Sequence, residues 1–274
     1  MAIVYKRVVF LFLVLFTLNT VSGQPALRET ELKLQALQKE ISRNRTDLQN
    51  MAFNDSLCTI FSRILQEKGS FDYPFDSLNF MGKILSDDKK VRFFTWNLPL
   101  SNGSNQYFGF ILYRNDGTHQ VFSLTDKSVT VSNPENDILS AENWYGCLVY
   151  AIIDTRFADE TGYTLIGYDP DNIFTSKKLI DILTFSNGVP VFGKPVFKLK
   201  NKTVSRMLFE YSSRVQMTLK WHDKLKMIVF DHLAPASPVY MGNYRYYGPD
   251  FSYDGLKLEK GFWEYKEDPD VRDR

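Results

Sequence analysis

The chain has 274 residues, of which 44% are hydrophobic and 15% aromatic, so its composition is that of a folded protein. Its 33 Lys and Arg residues nearly balance its 32 Asp and Glu residues, which argues against a nucleic-acid-binding protein with a concentrated basic surface. Two cysteines are too few for a disulfide-rich scaffold or a cysteine-based zinc site.

The first 23 residues have the features of a secretory signal peptide. Lys6 and Arg7 precede an apolar run over residues 8–16, and the segment ends with Ser22 and Gly23. The run is about half as long as the ~20 residues that a membrane-spanning helix needs, although an uncleaved anchor is the alternative interpretation. We expect an exported chain, periplasmic or extracellular, without a transmembrane anchor. Losing Lys6 and Arg7 would change the net charge from +1 to −1.

Residues 24–88 have a helical apolar pattern. Apolar residues recur at intervals of three and four from Leu27 to Met51, which predicts one amphipathic helix of about three heptads. This helix either packs across its own domain, which we favour, or forms a coiled coil with a partner through four residues: Leu34, Leu37, Ile41 and Leu48. A second helix is predicted from the N-cap candidates at residues 54–56 to Gly69.

Residues 89–274 show the pattern of a β-rich domain. Runs of aromatic and β-branched residues alternate with turn residues, and Asp116-Gly117 and Asn187-Gly188 are typical of tight hairpins. Residues 145–153 and 163–168 predict a further hairpin. About ten short strands predict a mostly β, α+β fold with a predominantly antiparallel sheet or sandwich. Adjacent aromatic residues such as Phe93 and Phe94 indicate a sheet covered on both faces.

The candidate catalytic residues are Asp231, His232 and Asp250. A carboxylate that orients a histidine is part of many hydrolase sites, and Ser252 lies near Asp250 in sequence. The chain lacks the G-x-S-x-G turn that exposes a serine nucleophile, so we favour the alternative that Asp231 and His232 satisfy backbone groups at a strand end. The three histidines lack metal-site spacing, and residues 169–172 indicate a turn rather than a calcium loop. No metal or cofactor is predicted.

The candidate ligand-binding residues lie in a segment that mixes tyrosines with glycine and polar residues: Tyr244, Tyr246, Tyr247 and Tyr253. Tyrosines on such a loop either form a platform for sugars or peptides, or fold over the core, which we favour. Cys58 and Cys147 either form a disulfide in an oxidising compartment or remain buried free thiols.

Several segments together resemble a family of secreted proteins from Bacteroidota: residues 69–78, 107–110, 163–169, 227–233 and 247–254. The resemblance implies export across a bacterial inner membrane to the periplasm or the outer surface, and it carries no catalytic residue or ligand. We therefore expect a non-enzymatic exported protein that binds a protein partner or an envelope glycan. The alternative is a hydrolase that uses Asp231, His232 and Asp250.

Overall fold

A computed structural model describes residues 24–42 and 44–270 of the chain. The predicted signal peptide, residues 1–23, lies outside these described residues. The described chain forms four layers, in the order of a helical layer and then three β-sheets. The α+β, mostly β fold predicted from the sequence is confirmed.

The helical layer consists of α1, Gln24–Glu40, and α2, Asp47–Leu65. Thr46 caps α2 in a capping box, in which its hydroxyl accepts from the Gln49 amide and the Gln49 side chain accepts from the Thr46 amide. This box starts a new helix inside the apolar periodicity. The prediction of one helix from Leu27 to Met51 is therefore wrong, as is the start of a second helix at residues 54–56.

The four residues predicted as a coiled-coil seam do not share one face of one helix. Leu34 is fully buried on α1 and Leu37 packs beside it, but Ile41 follows the end of α1, and Leu48 on α2 is 82% exposed. A coiled coil through these residues is not supported. The favoured alternative is confirmed, because α1 and α2 both pack against the first sheet and bury a shared core, the helix-side core: Leu27, Leu34, Leu57, Phe61, Phe94, Trp96 and Phe110 among others.

The first sheet is an antiparallel meander of four strands. A series of turns over residues 66–81, which includes Pro74, leads into it from α2. A tight turn with positive φ at Asp116 and Gly117 closes its last hairpin, as predicted. Its first strand lies before residue 88, inside the range predicted to be a helical segment. The strands are β1 (Gly82–Leu85), β2 (Val91–Pro99), β3 (Asn105–Asn115) and β4 (Thr118–Thr125).

The second sheet contains the two other hairpins predicted from turn residues. Its strands are β5 (Leu139–Ser140), β6 (Leu148–Arg156), β7 (Thr161–Asp169), β8 (Thr175–Ser186) and β9 (Val189–Phe192). Strands β6 and β7 pair as expected, and β8 and β9 pair across Asn187-Gly188, both of which have positive φ.

The remaining strands are β10 (Phe197–Lys198), β11 (Thr203–Val204), β12 (Met207–Ser212), β13 (Leu219–His222), β14 (Met227–Pro235), β15 (Tyr247–Glu259) and β16 (Phe262–Glu267). The third sheet has the strand order β11-β10-β16-β15-β14-β13, and all its pairings are antiparallel except that of β10 with β16. One further strand, β12, pairs with β8 and so belongs to the second sheet.

The second sheet is buried on both faces. Leu165 and Leu179 point into a core shared with the first sheet, whereas their neighbours Ile166 and Ile180 point into a core shared with the third sheet. We call these the central core and the outer core. The first sheet is also covered twice, since Phe93 enters the central core and Phe94 the helix-side core. The prediction of a sheet covered on both faces is confirmed.

One ion pair is buried within these layers. Arg206 Nε donates to Asp181 Oδ2 at 2.7 Å, and both side chains are at most 3% exposed. The Arg206 guanidinium also donates to the Pro134 carbonyl, so it ties the connection before β5 to β8. Burial raises the pKa of the Asp181 carboxyl group. The positive charge of Arg206 partly offsets this rise.

We expect Asp181→Asn to lower the free energy of unfolding by about 3–5 kcal/mol, because it leaves the buried Arg206 charge without a counterion. Urea denaturation followed by circular dichroism measures this change. Glu29→Gln, which breaks the exposed pair with Lys33, is the control and should leave the free energy of unfolding nearly unchanged, because exposed ion pairs are screened by solvent. Equal effects of the two substitutions would contradict the structural role of the buried pair.

Candidate functional site

The candidate residues gather where β14 leaves the outer core. Residues Met227 to Phe230 of β14 are buried, whereas its last five residues are half-buried. The pairing with β15 is interrupted there, since Asp231 pairs with Tyr253 but Leu233 pairs with Pro249. Residues 250–252 therefore bulge out opposite His232. Two clefts lie beside β14 in this region: residues 230–233 line one of them, and Ala234 and Pro235 line the other.

Phe251 occupies the tip of this bulge. Its φ is +73°, a region that a bulky residue rarely adopts, and its side chain is 95% exposed. Asp250 and Ser252 hold the bulge on either side of Phe251, because the Asp250 carboxylate accepts from both the amide and the hydroxyl of Ser252. These bonds lower the pKa of Asp250, so it is anionic at neutral pH.

His232 is paired with Asp254, a residue that the sequence interpretation did not select. Its Nδ1 lies 2.7 Å from Oδ2 of Asp254, whose side chain is buried. The hydrogen bond with Asp254 raises the pKa of His232, because the carboxylate stabilises the charged imidazole. The pair lines a cleft of about 510 Å³, together with Phe209, Phe230 and other residues.

The three predicted catalytic residues are near one another but are not joined as a triad. Asp231 Oδ2 accepts from the Thr218 amide at 2.6 Å, which is the backbone role that we favoured. Asp250 bonds to Ser252 rather than to His232. Within the described residues, no serine, threonine or cysteine side chain is hydrogen-bonded to His232. Only strand register reveals Asp254 as the partner, because the bulge brings it to His232 across 22 positions of sequence.

The tyrosines form a folded loop between β14 and β15. The rings of Tyr240 and Tyr246 stack with their centroids 4.0 Å apart, and those of Tyr244 and Tyr247 lie 4.9 Å apart. The Gly242 amide donates to the Tyr247 hydroxyl at 3.0 Å. Tyr247 packs against the outer core, whereas Tyr244 and Tyr246 remain 43% exposed. The loop is thus anchored to the core by one tyrosine while it presents two others.

This tyrosine loop lines a cleft of about 540 Å³ together with two other loops, one after β7 and one after β12. Of the four candidate tyrosines, Tyr246 and Tyr247 line this cleft, whereas Tyr244 and Tyr253 do not. Tyr253 lies on β15 beyond the bulge. Phe174 also lines the cleft, and the Arg245 guanidinium carbon lies 3.7 Å from the centre of its ring. Sequence reasoning missed Phe174, whose neighbouring turn gave no signal of a ligand site.

The loop that carries Phe174 is held by residues 169–177. Asp171 accepts from Lys177 Nζ at 2.8 Å and from the hydroxyl of Thr175, while the Asn172 side chain accepts from the amides of Phe174 and Thr175. The Lys177 ammonium therefore forms an ion pair with the Asp171 carboxylate. The turn predicted at residues 169–172 is confirmed, and its carboxylate serves to position the cleft wall.

Large apolar side chains are concentrated around this cleft. Such side chains are usually exposed singly on soluble proteins, and contiguous apolar patches mark interaction sites. We define the tyrosine-loop surface as the cleft together with the exposed apolar residues of its three loops: Ile173, Phe174, Val215, Val239, Met241, Tyr244 and Tyr246.

Cys58 and Cys147 are both free, so the candidate disulfide is not formed. They lie in different layers, because Cys58 packs against the helix-side core and Cys147 is part of the central core. Burial raises the pKa of Cys58 to about 12 and that of Cys147 well above its usual value. Thiols that remain protonated are poor nucleophiles, so the alternative of unreactive thiols matches the structure.

The His232–Asp254 pair makes a testable difference to titration. We expect His232 to titrate above its ordinary pKa of about 6.5, and Asp254→Asn to lower that pKa because the carboxylate is lost. NMR of the imidazole C–H resonances against pH measures both values, and Asp250→Asn is the control with the smaller expected shift. Because the folded pKa is raised, the stability from this pair is present below pH 6.5 and lost as pH rises through the folded value. An unchanged pKa in Asp254→Asn would contradict the pairing.

No protein-family model, curated protein or solved structure matches this chain. None of the helices in the described part of the chain combines the length and apolar character needed to cross a membrane. Within the same residues, no group of three or more His, Cys, Asp or Glu side chains is placed to hold a metal ion. The function must therefore be inferred from this chain's own residues.

Proposed function

We propose that this chain is an exported, non-enzymatic binding protein and that it docks a protein partner on the tyrosine-loop surface. Export is supported by the signal-peptide features of residues 1–23. The resemblance to secreted Bacteroidota proteins favours the periplasm or the outer surface. The observation that carries the proposal is the concentration of exposed apolar and aromatic side chains around one cleft.

The chemistry of this surface favours a protein over an envelope glycan. Residues 236–248 contain tyrosine, methionine, serine, glycine, asparagine and one arginine, but no lysine, aspartate or glutamate. Protein interfaces are enriched in tyrosine, methionine and arginine and depleted in lysine and acidic residues. Sugars instead need many hydrogen-bonding side chains, whereas Ile173, Val239 and Met241 offer only apolar contact.

The loop is also ordered before any partner arrives. Its two tyrosine contacts and the bond from the Gly242 amide to Tyr247 hold it against the sheet. The Ser213 amide donates to the Phe174 carbonyl, and the Ser213 hydroxyl donates to the Ile173 carbonyl. These bonds tie the loop after β7 to the loop after β12. A surface fixed in this way loses less conformational entropy when it binds.

A site-specific crosslinking experiment tests this proposal. A photoreactive amino acid is placed in the mature chain at Val239 on the tyrosine-loop surface, or at Leu48 on α2, which is 82% exposed against 79% for Val239. We expect a discrete protein adduct in envelope fractions from the Val239 position only. Adducts at both positions, or none at Val239, would reject the docking surface.

The identified partner is then purified and its affinity measured by calorimetry. We expect Tyr246→Ser and Phe174→Ser each to weaken binding at least about tenfold, since aromatic residues in a well-packed interface are hot spots. Leu48→Ser is the matched control and should leave affinity unchanged. Circular dichroism checks that each variant is folded. Tight binding of envelope glycans in place of a protein would overturn the choice of partner.

The second candidate function is a hydrolase, and the 2.7 Å contact of His232 with Asp254 favours it. In that case Asp254 orients the imidazole through Nδ1. The other ring nitrogen, Nε2, accepts a proton from a water molecule while the water oxygen attacks an ester or amide carbonyl. The assignment replaces Asp231 and Asp250 with Asp254 as the orienting carboxylate.

The hydrolase candidate predicts turnover of ester or amide substrates that falls by ~100-fold or more in His232→Gln and Asp254→Asn. Asp250→Asn, whose carboxylate bonds to Ser252, should retain most of the rate. The measurement is release of a chromogenic leaving group across a panel of such substrates. Wild-type rates no higher than those of His232→Gln would eliminate this candidate and leave the binding function.

A further inference from the structure

Two arginines from different loops line the tyrosine-loop cleft, and neither forms an ion pair within residues 24–42 and 44–270. Arg214 follows β12 and Arg245 lies in the tyrosine loop, and both are exposed. Elsewhere in the described chain several long cations have acidic partners: Arg45, Arg114, Lys177, Lys194, Lys198, Lys200, Lys202 and Arg206. The cleft thus combines an apolar surface with two guanidinium groups that remain available.

Arg245 is held in place by an aromatic ring rather than by an acid. Its guanidinium carbon lies 3.7 Å from the ring centre of Phe174, and that ring is fixed by the bonds of Asn172 and Ser213 to its loop. A guanidinium that packs on an aromatic face keeps its N–H donors at the edge of its plane. Those donors match the two oxygens of a carboxylate.

Asp250 is the one acidic side chain among the residues that line the cleft. Its carboxylate already accepts from the amide and hydroxyl of Ser252, and no ion pair joins it to Arg214 or Arg245 in the described structure. The cleft is therefore lined by two arginines and one acidic residue, which leaves an excess of one positive charge. Charge complementarity then favours a partner that brings carboxylates to this cleft.

We propose that the partner presents an acidic segment, in which glutamate or aspartate side chains meet Arg214 and Arg245 while apolar neighbours pack on Phe174 and Tyr246. This inference rests on the proposed function and specifies the chemistry of its partner. The two arginines select the segment by charge, and the aromatic residues supply contact area.

Fluorescence anisotropy with two labelled peptides tests the inference. One is a 12-residue probe rich in glutamate with two leucines, and its twin has glutamine in place of every glutamate. We expect the glutamate peptide to bind the mature chain at least about tenfold tighter than its twin, with affinity falling as salt rises from ~50 to ~200 mM. Arg214→Ala and Arg245→Ala should each weaken it about fivefold.

Controls separate a specific site from general charge attraction. Arg156→Ala removes an exposed arginine outside the cleft and should leave affinity unchanged. Arg245→Lys keeps the charge but not the planar contact with Phe174, so it should weaken binding less than Arg245→Ala. An equal effect of Arg156→Ala, or tighter binding of polygalacturonate than of the peptide, would overturn the acidic protein segment.

The outcomes distinguish this inference from the proposed function. If both peptides bind equally and Tyr246→Ser weakens both, protein docking stands and the acidic segment is rejected. No binding of the glutamate peptide up to ~1 mM also rejects the acidic segment. The crosslinking experiment then decides separately whether the tyrosine-loop surface docks a protein at all.

Discussion

Burial of the second sheet on both faces is the constraint on which the rest of the structure depends. Each of its central strands must supply apolar side chains at successive positions, as Leu165 and Ile166 do. The packing is close enough that a methyl group on Gly167 would lie 2.6 Å from the Cys147 sulfur. A charge in such a sheet needs a partner, and Asp181 has Arg206. The ionisable residues of the candidate site accordingly lie on the third sheet and on the loops near its end.

In the third sheet, a strand leaves the outer core while it stays paired with its neighbour on both sides of a bulge. β14 does so at His232, where the bulge in β15 changes the register and the strand becomes half-buried. From that point β14 and β15 carry the tyrosine loop between them, away from the apolar layers. The loops after β7 and β12 reach the same end of the molecule, so three separate segments contribute to one cleft.

Local signals in the sequence predicted the hairpins but not the contacts that depend on register. Asn187-Gly188 adopts positive φ wherever it occurs in such a turn, so the β8–β9 hairpin follows from two residues. The Thr46–Gln49 capping box was hidden because it interrupts an otherwise regular apolar period. Asp254 could not be assigned to His232, since a bulge of three residues shifts which side chains lie opposite each other. Phe174 was missed because its role depends on Arg245, which is distant in sequence.

The His232–Asp254 pair also has a structural explanation that is consistent with binding. Asp254 is buried beside the outer core, and a buried carboxylate is costly unless its oxygens are hydrogen-bonded. His232 bonds to one of these oxygens, and it does so where the ladder between β14 and β15 is interrupted. Beyond that interruption, Asp250 already lines the tyrosine-loop cleft. We infer that the pair fixes the strand end from which the tyrosine loop projects, so a histidine and an aspartate that resemble a catalytic dyad hold the proposed docking surface in place.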